Sequence, residues 1–364
     1  MPAQLTRHPL NTVAPYFTMF PPSFPIAALG GATGWVLDPF CGRGTTLFAS
    51  RVLGLPCIGI DSSPVAVAIA SAKLVDASPD EIVRCASGLL QREQPLEFPS
   101  GEFWTLAYHP QTLAELCSVR QGLFAASDDA PAVALRAIML GALHGPRGKH
   151  VQSYLSNQMP RTYATKPAGA VRFWSKRGMR PEYVSLLDVV RRRAERAYGQ
   201  CPPPVPGRVL QGDSRTADLP SGTGPISHVV TSPPYFGMRT YLSDQWLRLW
   251  FLGGAPEPDY SLDRQMDMSS VEAFVQELAR VWRRVAAVAA PDCGMSIRFG
   301  AIPSAPSSPV EIIRESLDTA DAGWRVQHVA DAGLPTHGRR QAEQFGFVRS
   351  KPIEEVDVRV VLRG

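Results

Sequence analysis

The chain has 364 residues, of which 45% are hydrophobic and 19% charged, enough to bury the core of one large domain or two. It has no apolar run long enough to cross a bilayer and no signal-peptide pattern at its start, and its six cysteines never show C-x-x-C spacing, so we expect a cytoplasmic protein without a disulfide framework or a metal site. The formal net charge of +4 permits a polyanionic partner without requiring one.

The first informative segment, residues 8–26, is rich in aromatic residues and prolines, so it cannot form a long helix. An aromatic arm of this kind suits covering one side of a flat ligand. Packing as an N-terminal flap without any ligand is the alternative.

Residues 35–61 predict two strands that each end in an acid. The first strand ends at Asp38 and leads into a loop with glycines at positions 42 and 44, where a backbone without Cβ atoms can approach a ligand closely. The second strand ends at Asp61, the position at which this kind of sheet receives ribose hydroxyls. No Gly-Lys-Ser/Thr follows the glycines, which disfavours a P-loop, and the Gly-x-Gly-x-x-Gly of a nicotinamide site is absent. Cys57 lies in the middle of the second strand, so we interpret it as a small buried hydrophobe rather than a nucleophile.

Residues 75–200 predict a helix opened by the capping-box spacing of Ser78 and Glu81, and further helices at 110–123 and 130–143. They also contain an irregular basic stretch, residues 144–181, with eight cationic residues and no acid. Interleaved aromatic and amide side chains suggest a surface for phosphates and base edges, with a solvated basic loop as the alternative. The proline-rich segment 201–207 marks a boundary. The candidate nucleic-acid contacts are Arg147, Lys149, Asn157, Gln158, Arg161, Lys166, Arg172, Lys176 and Arg177, together with Arg239 farther along the chain.

After the linker, a third strand ends at Asp213 and a fourth runs into Ser232-Pro233-Pro234-Tyr235. Consecutive prolines stop a sheet ladder, so they present the Ser232 hydroxyl, the nearby carbonyls and the Tyr235 ring at the end of a strand. Oxygens placed on the hydrogens of a ring amine would favour a pyramidal nitrogen with its lone pair aimed outward. A proline-terminated strand followed by a packing aromatic is the alternative. The remaining chain predicts a helix at 270–290, a fifth strand at 293–299, a helix at 310–320 and strands at 324–329 and 356–362.

Three of these segments together resemble motifs of the S-adenosylmethionine-dependent amino-group DNA methyltransferases. Residues 231–235, Thr-Ser-Pro-Pro-Tyr, are similar to motif IV, whose Ser form is commonest among the N4-cytosine enzymes and whose Asp form is commonest among the N6-adenine enzymes. Residues 38–46 and 59–61 are similar to motifs I and II, and Asp213 matches motif III. One departure is that the basic insert precedes Asp213, whereas the commoner arrangement places it after that motif.

The resemblance implies an α/β, doubly wound, seven-stranded Rossmann-like sheet of the methyltransferase type, with an inserted, mostly helical target-recognition region. The implied division is a donor-binding part (1–76), the insert (77–200) and an amine-methylation part (201–364). The implied catalytic residues are Ser232, Pro233, Pro234 and Tyr235. The implied S-adenosylmethionine-binding residues are Tyr16, Phe17, Thr18, Asp38, Phe40, Gly42, Gly44, Thr45, Thr46, Asp61, Ser62, Asp213, Ser214 and Ser232.

The implied activity is methylation of N4 of a flipped cytosine in double-stranded DNA, in a nucleoid-associated protein. The resemblance leaves open whether a cognate restriction endonuclease exists in the same cell. Three other functions stay open: N6-adenine methylation, methylation of RNA or of a protein glutamine, and DNA binding without catalysis. The basic insert favours a duplex, and the presence of all the motif acids favours catalysis.

Overall fold

The structure is a computed structural model, and it describes residues 8–16, 20–92, 95, 97–126, 128–145, 153–157, 166–237, 242–259, 266–302, 307–332 and 355–363. Within those ranges, no helix has both the length and the apolar character that crossing a membrane would require.

The centre of the fold is a seven-stranded sheet with the order β3-β2-β1-β4-β5-β7-β6. Strands β1 to β5 pair in parallel, whereas β7 runs antiparallel to β5 and β6. The predicted fold class, a doubly wound α/β sheet of the Rossmann-like methyltransferase type, is confirmed. The strands are β1 (Trp35–Asp38), β2 (Cys57–Asp61), β3 (Gly207–Gln211), β4 (Ile226–Thr231), β5 (Ala289–Gly300), β6 (Trp324–Asp331) and β7 (Glu355–Leu362).

Helices cover both faces of this sheet and supply the inserted module. They are α1 (Ser23–Ala28), α2 (Thr45–Leu53), α3 (Pro64–Ser71), α4 (Pro79–Arg92), α5 (Glu102–Ala107), α6 (Pro110–Ala125), α7 (Ala130–Ala142), α8 (Pro167–Lys176), α9 (Leu186–Tyr198), α10 (Trp246–Phe251), α11 (Val271–Ala286) and α12 (Pro309–Ala320), with 3₁₀ turns at Pro9–Thr12 and Leu242–Gln245.

The strands bury both faces because successive side chains point to opposite sides of a sheet. In β1, Leu37 packs in the cluster formed with α11 and α12, whereas its neighbour Val36 packs in the cluster formed with α1 and α2. Cys57 belongs to the second cluster and is buried, which confirms its interpretation as a core residue. The sheet is therefore fixed from both sides, and its strand ends are rigid positions for a site.

Helices α4 to α9 lie between β2 and β3 in the chain, at the position predicted for the helical insert. They share one core with α3 and with α10, which come from the flanking parts of the sequence. The predicted boundaries at 76 and 200 stay predictions.

The prediction of an irregular basic stretch was wrong for its second half, because residues 167–176 form α8. Pro167 occupies the first turn, where its fixed φ is pre-organised for a helix, and Gly178 follows the helix at a φ of +58°. Trp174, one of the aromatic residues interleaved with the cations of this stretch, is fully buried, and its ring centroid lies 5.7 Å from that of Phe103. A tryptophan anchor thus holds a basic helix on the module.

Capping residues mark the starts of several helices. Ser63 caps α3 by accepting from the Ala66 N–H at 3.4 Å. Ser78 and Glu81 form the predicted capping box, with the Ser78 N–H donating to Glu81 Oε2 at 2.8 Å. The predicted helix at 270–290 ends earlier, at Ala286, because β5 begins at Ala289 and pairs with β4.

Candidate active site

The glycine corner and the serine-proline corner, far apart in sequence, lie side by side. Strand β1 pairs in parallel with β4, with Leu37 opposite Val229, so both strands end at the same edge of the sheet. The hydroxyl of Thr231 donates to Asp38 Oδ1 at 2.7 Å, and both residues are fully buried. This edge is also where the strand order reverses, the place where open α/β sheets bind ligands.

Asp38 is the buried acid between the two corners. Its Oδ1 also accepts from the Phe40 N–H at 3.1 Å, whereas Oδ2 has no hydrogen-bond partner among the described residues. Burial raises the pKa of Asp38 from 3.8 to about 6, and interactions with the hydroxyls of Thr46 and Thr231 oppose that rise. The Phe40 ring packs edge-on against Trp282, which fixes the turn after the strand. A carboxylate with one oxygen unsatisfied is a site for a cation.

The glycine loop is shaped by two left-handed residues. Gly44 has a φ of +78°, and a Cβ there would lie 2.9 Å from the Cβ of Ala70 on α3. Gly42 has a φ of +50°, yet a Cβ there would meet no described atom within 4 Å. Packing therefore requires glycine at position 44, whereas Gly42 borders open space.

Helix α2 begins directly after this loop. The hydroxyl of Thr46 donates to the Val230 carbonyl at 3.2 Å, which ties the helix to β4 just before Ser232. The hydroxyl of Thr45 is buried without a hydrogen-bond partner in the part of the chain that the structure describes. The loop thus presents an unsatisfied hydroxyl near the helix N-terminus.

Asp61 braces the glycine loop from β2. Its Oδ2 accepts from the Gly42 N–H at 2.9 Å, and its Oδ1 accepts from the Ser63 N–H at 2.9 Å. Burial raises the pKa of this carboxyl. Ser62 beside it is exposed. The contact of Asp61 with ribose stays a prediction. The structure shows that this carboxylate also holds the glycine loop in place.

Tyr16 brings the N-terminal segment to the same edge. Its phenol bonds to the side chain of Ser63, and burial followed by the charge of Asp61 raises its pKa well above the ordinary value. Phe17 and Thr18 lie outside the described residues. The aromatic arm therefore reaches the second strand's end through Tyr16.

Asp213 follows β3 and is already ion-paired. Arg215 Nε contacts its Oδ1 at 2.8 Å and its Oδ2 at 2.9 Å, and this hydrogen bonding lowers the pKa of Asp213. Arg215 also pairs with Glu277 on α11. The hydroxyl of Ser214 donates to the Pro39 carbonyl, so β3 is tied to the turn after β1. A contact of Asp213 with the donor's adenine stays a prediction.

The Ser-Pro-Pro-Tyr segment leaves β4 as a half-buried corner. Pro233 is buried, and Ser232, Pro234 and Tyr235 are partly exposed. The Tyr235 ring packs edge-on against Phe299, with centroids 5.4 Å apart at 75°. Its hydroxyl donates to Glu355 Oε1 at 2.9 Å. The corner thus holds an aromatic ring in one orientation beside the Ser232 hydroxyl.

Four of the predicted nucleic-acid contacts lie on or beside α8, and all are exposed. They are Lys166, Arg172, Lys176 and Arg177. The Arg177 guanidinium lies 3.9 Å from the centroid of the Phe173 ring. Asn157 instead donates its amide to the Leu106 carbonyl at 3.1 Å, so that side chain already stabilises the module. The others, Arg147, Lys149, Gln158, Arg161 and Arg239, lie outside the described residues.

Sequence reasoning missed three side chains that complete the site: Thr231, Arg215 and Glu355. A hydroxyl at the buried end of a strand was a usable signal for Thr231, because buried polar groups need partners. Arg215 and Glu355 meet the site only through contacts between distant elements, and no local pattern indicates them.

No protein-family model matches this sequence, and no curated protein matches it. Among solved structures, TrmN of Thermus thermophilus aligns at 10% identity and a TM-score of 0.36, over 98% of this chain and 52% of its own, so this chain spans about half of that protein. The rRNA methyltransferase aviRa of Streptomyces viridochromogenes aligns at 15% identity and a TM-score of 0.36, over 98% of this chain and 92% of its own. A magnesium protoporphyrin IX methyltransferase of Synechocystis with bound SAM aligns at 9% identity and a TM-score of 0.33, over 93% of this chain and 74% of its own. Similarities this weak carry no argument about activity.

Proposed function

We propose that this chain is a DNA methyltransferase that moves a methyl group from S-adenosylmethionine to N4 of cytosine in a specific duplex sequence. The observation that carries the proposal is the meeting of two corners at one sheet edge. A glycine loop with unsatisfied polar atoms lies beside a Ser-Pro-Pro-Tyr corner, and the Thr231–Asp38 hydrogen bond of 2.7 Å joins them.

The groups at the glycine corner fit S-adenosylmethionine. The unsatisfied Asp38 Oδ2 suits a cationic group, and the unsatisfied Thr45 hydroxyl suits a carboxylate, so the two match the charged methionyl end of the donor. The open space at Gly42 admits a ligand close to the backbone. Asp61 and Ser62 would receive the ribose, and Tyr16 would cover the ligand.

At the serine corner, this chain's own groups would orient the acceptor amine. The bound donor supplies a methyl group activated by a sulfonium. The Ser232 hydroxyl oxygen and the carbonyl of residue 232 or 233 would accept the amine hydrogens, which directs the nitrogen lone pair outward. The Tyr235 ring would stack on the base, a contact worth about 1–3 kcal/mol. Such orientation can supply much of the rate of a transfer reaction.

DNA as the substrate is supported by the exposed face of α8 and its flanks. Helix α8 contains no acidic residue, and its cations are exposed. Such a face neutralises phosphates. A base in a duplex reaches the corner only when it is flipped out, at a cost of a few kcal/mol. Cytosine N4 is favoured over adenine N6 by the serine in place of an acid at position 232.

The test is mass spectrometry of nucleosides from duplex DNA incubated with the wild-type chain and S-adenosylmethionine. We expect N4-methyldeoxycytidine. N6-methyldeoxyadenosine would correct the base but keep the reaction. Parallel incubations with RNA and with protein extract identify a different acceptor class, and methylation confined to either of them would contradict a DNA substrate.

A further inference from the structure

The hydroxyl of Tyr235 lies in the middle of a three-residue hydrogen-bonded chain. It donates to Glu355 Oε1 at 2.9 Å, and the Ser232 side chain hydrogen-bonds to the Tyr235 oxygen. Glu355 is the first residue of β7 and is partly exposed. The chain therefore runs from the serine corner after β4 to the partly exposed first residue of β7, which lies two strands away in the sheet.

Methylation of an amine releases a proton, and the described residues of the serine corner, 232–237, include no carboxylate or imidazole that could take it up. A serine hydroxyl accepts a hydrogen bond through its oxygen but does not keep a second proton near neutral pH. An acid at position 232 would offer a carboxylate directly, and this chain has none there. Among the described residues, the carboxylate of Glu355 is connected to Ser232 through Tyr235.

We propose that Glu355 takes up the proton released by the methylated amine, through Tyr235 and Ser232. This inference rests on the proposed function. The amine lone pair forms the new N–C bond while the electrons of the broken C–S bond stay on sulfur as a neutral thioether. The amine N–H proton moves to the Ser232 oxygen, the Ser232 proton moves to the Tyr235 oxygen, and the Tyr235 proton moves to Glu355 Oε1. Glu355 becomes a neutral acid and returns the proton to water.

The surroundings hold this chain in place without occupying Glu355. Arg298 is the neighbouring cation, and its guanidinium forms a fork with Asp357, with Nε and Nη2 each 2.7 Å from a carboxylate oxygen. That fork holds the guanidinium on Asp357, and its charge also acts on Glu355 and Tyr235. The edge-on contact with Phe299 fixes the Tyr235 ring, so its hydroxyl points along one direction. Since Glu355 acts through Tyr235 and Ser232, it is a positioning residue for the reaction.

A purely structural role of Glu355 predicts different transfer rates for its variants. If Glu355 only steadied the Tyr235 ring, Glu355→Gln would be silent, because the amide oxygen still accepts the phenol hydrogen bond. Tyr235→Phe keeps the ring for stacking and removes only the hydroxyl. The two variants therefore separate proton uptake from ring support.

The experiment measures single-turnover methyl transfer to DNA by the full chain, with calorimetric S-adenosylmethionine binding and DNA binding in parallel. Glu355→Gln and Tyr235→Phe are each expected to lower the rate about 10²-fold with both affinities unchanged. The double variant should be no slower than the slower single variant, because both remove one pathway. Glu355→Asp, which keeps a carboxylate, should recover part of the rate. Glu315→Gln, an exposed acid on α12, is the matched control for charge and should keep the wild-type rate.

Wild-type rates in Glu355→Gln would overturn the relay, as would losses that multiply in the double variant. If Glu355→Gln fails to fold, a wild-type rate in Tyr235→Phe would overturn the relay equally. If the wild-type chain binds S-adenosylmethionine but methylates no DNA, the proposed function and the relay both fail. If the wild type methylates DNA and the variants do so at the same rate, only the relay fails.

Discussion

At the scale of single residues, Asp38 is a buried carboxylate whose hydrogen bonding is incomplete among the described residues. Its carboxylate is fully buried, one oxygen is satisfied by Thr231 and Phe40, and the other faces no described partner. A buried charge without a full set of hydrogen bonds is unfavourable. A ligand that supplied the missing partner would offset this cost.

Asp38→Asn is therefore expected to stabilise the free protein and to abolish donor binding. The pKa of Asp38 is about 6 in the folded chain against an ordinary 3.8, so the folded state binds the proton more tightly and the charge costs stability above about pH 6. We expect a gain of about 1–3 kcal/mol in the free energy of unfolding at pH 8. The gain should fade as the pH drops and vanish below the unfolded pKa.

Denaturant unfolding at pH 8 and below pH 4, with calorimetric donor binding at pH 8, checks this. Loss of stability at pH 8, or donor binding at wild-type affinity, would contradict the assigned role of Asp38.

Residue identity alone predicted Asp38, Gly42, Gly44 and Ser232, because their types and spacing carry the motif. It did not predict Thr231 or Glu355 as partners. Their partners, Asp38 and Tyr235, come from distant parts of the chain, and only the register of β1 with β4 and the position of β7 bring them together.

At the scale of elements, helix starts were predicted correctly where the spacing of the apolar residues and the capping residues indicated the same helix. Helix α6 and helix α7 were predicted to begin at Pro110 and Ala130, and they do. Helix α8 was not predicted. Only Ala170 and Trp174 of this helix are buried, they lie among basic residues, and Gly169 interrupts the helical pattern. Tertiary contact with Phe103 supplies the stability that local propensity does not.

The exposed face of α8 carries the next prediction. Reversing two charges there, Arg172→Glu with Lys176→Glu, should weaken DNA binding at low salt and reduce the slope of log affinity against log salt by about 2, since each phosphate contact contributes about 0.9. Donor affinity should not change, because Asp38 and Thr45 lie on other elements. Arg314→Glu on α12, also exposed, is the matched control.

Fluorescence anisotropy over a salt series measures both quantities. An unchanged slope in the α8 variant, or an equal loss in the Arg314 variant, would remove α8 from the DNA surface.

At the scale of the whole molecule, the topology brings the glycine corner and the serine-proline corner together. Strands β1 and β4 are separated by the entire helical insert in sequence, yet they are neighbours in the sheet. The seven-stranded architecture was predicted from the motifs in order, whereas the sharing of one core by the insert, α3 and α10 was not, because no local pattern encodes contacts between distant helices. The helical insert is thus packed directly onto α3 and α10, which come from the flanking parts of the sequence.

The most direct measurement of the central claim is single-turnover methyl transfer to duplex DNA by wild type and Ser232→Ala, with S-adenosylmethionine affinity measured on the same preparations. The account predicts that Ser232→Ala binds the donor as wild type does and transfers methyl about 10²-fold more slowly. Transfer by Ser232→Ala at the wild-type rate would contradict the assignment of the acceptor corner.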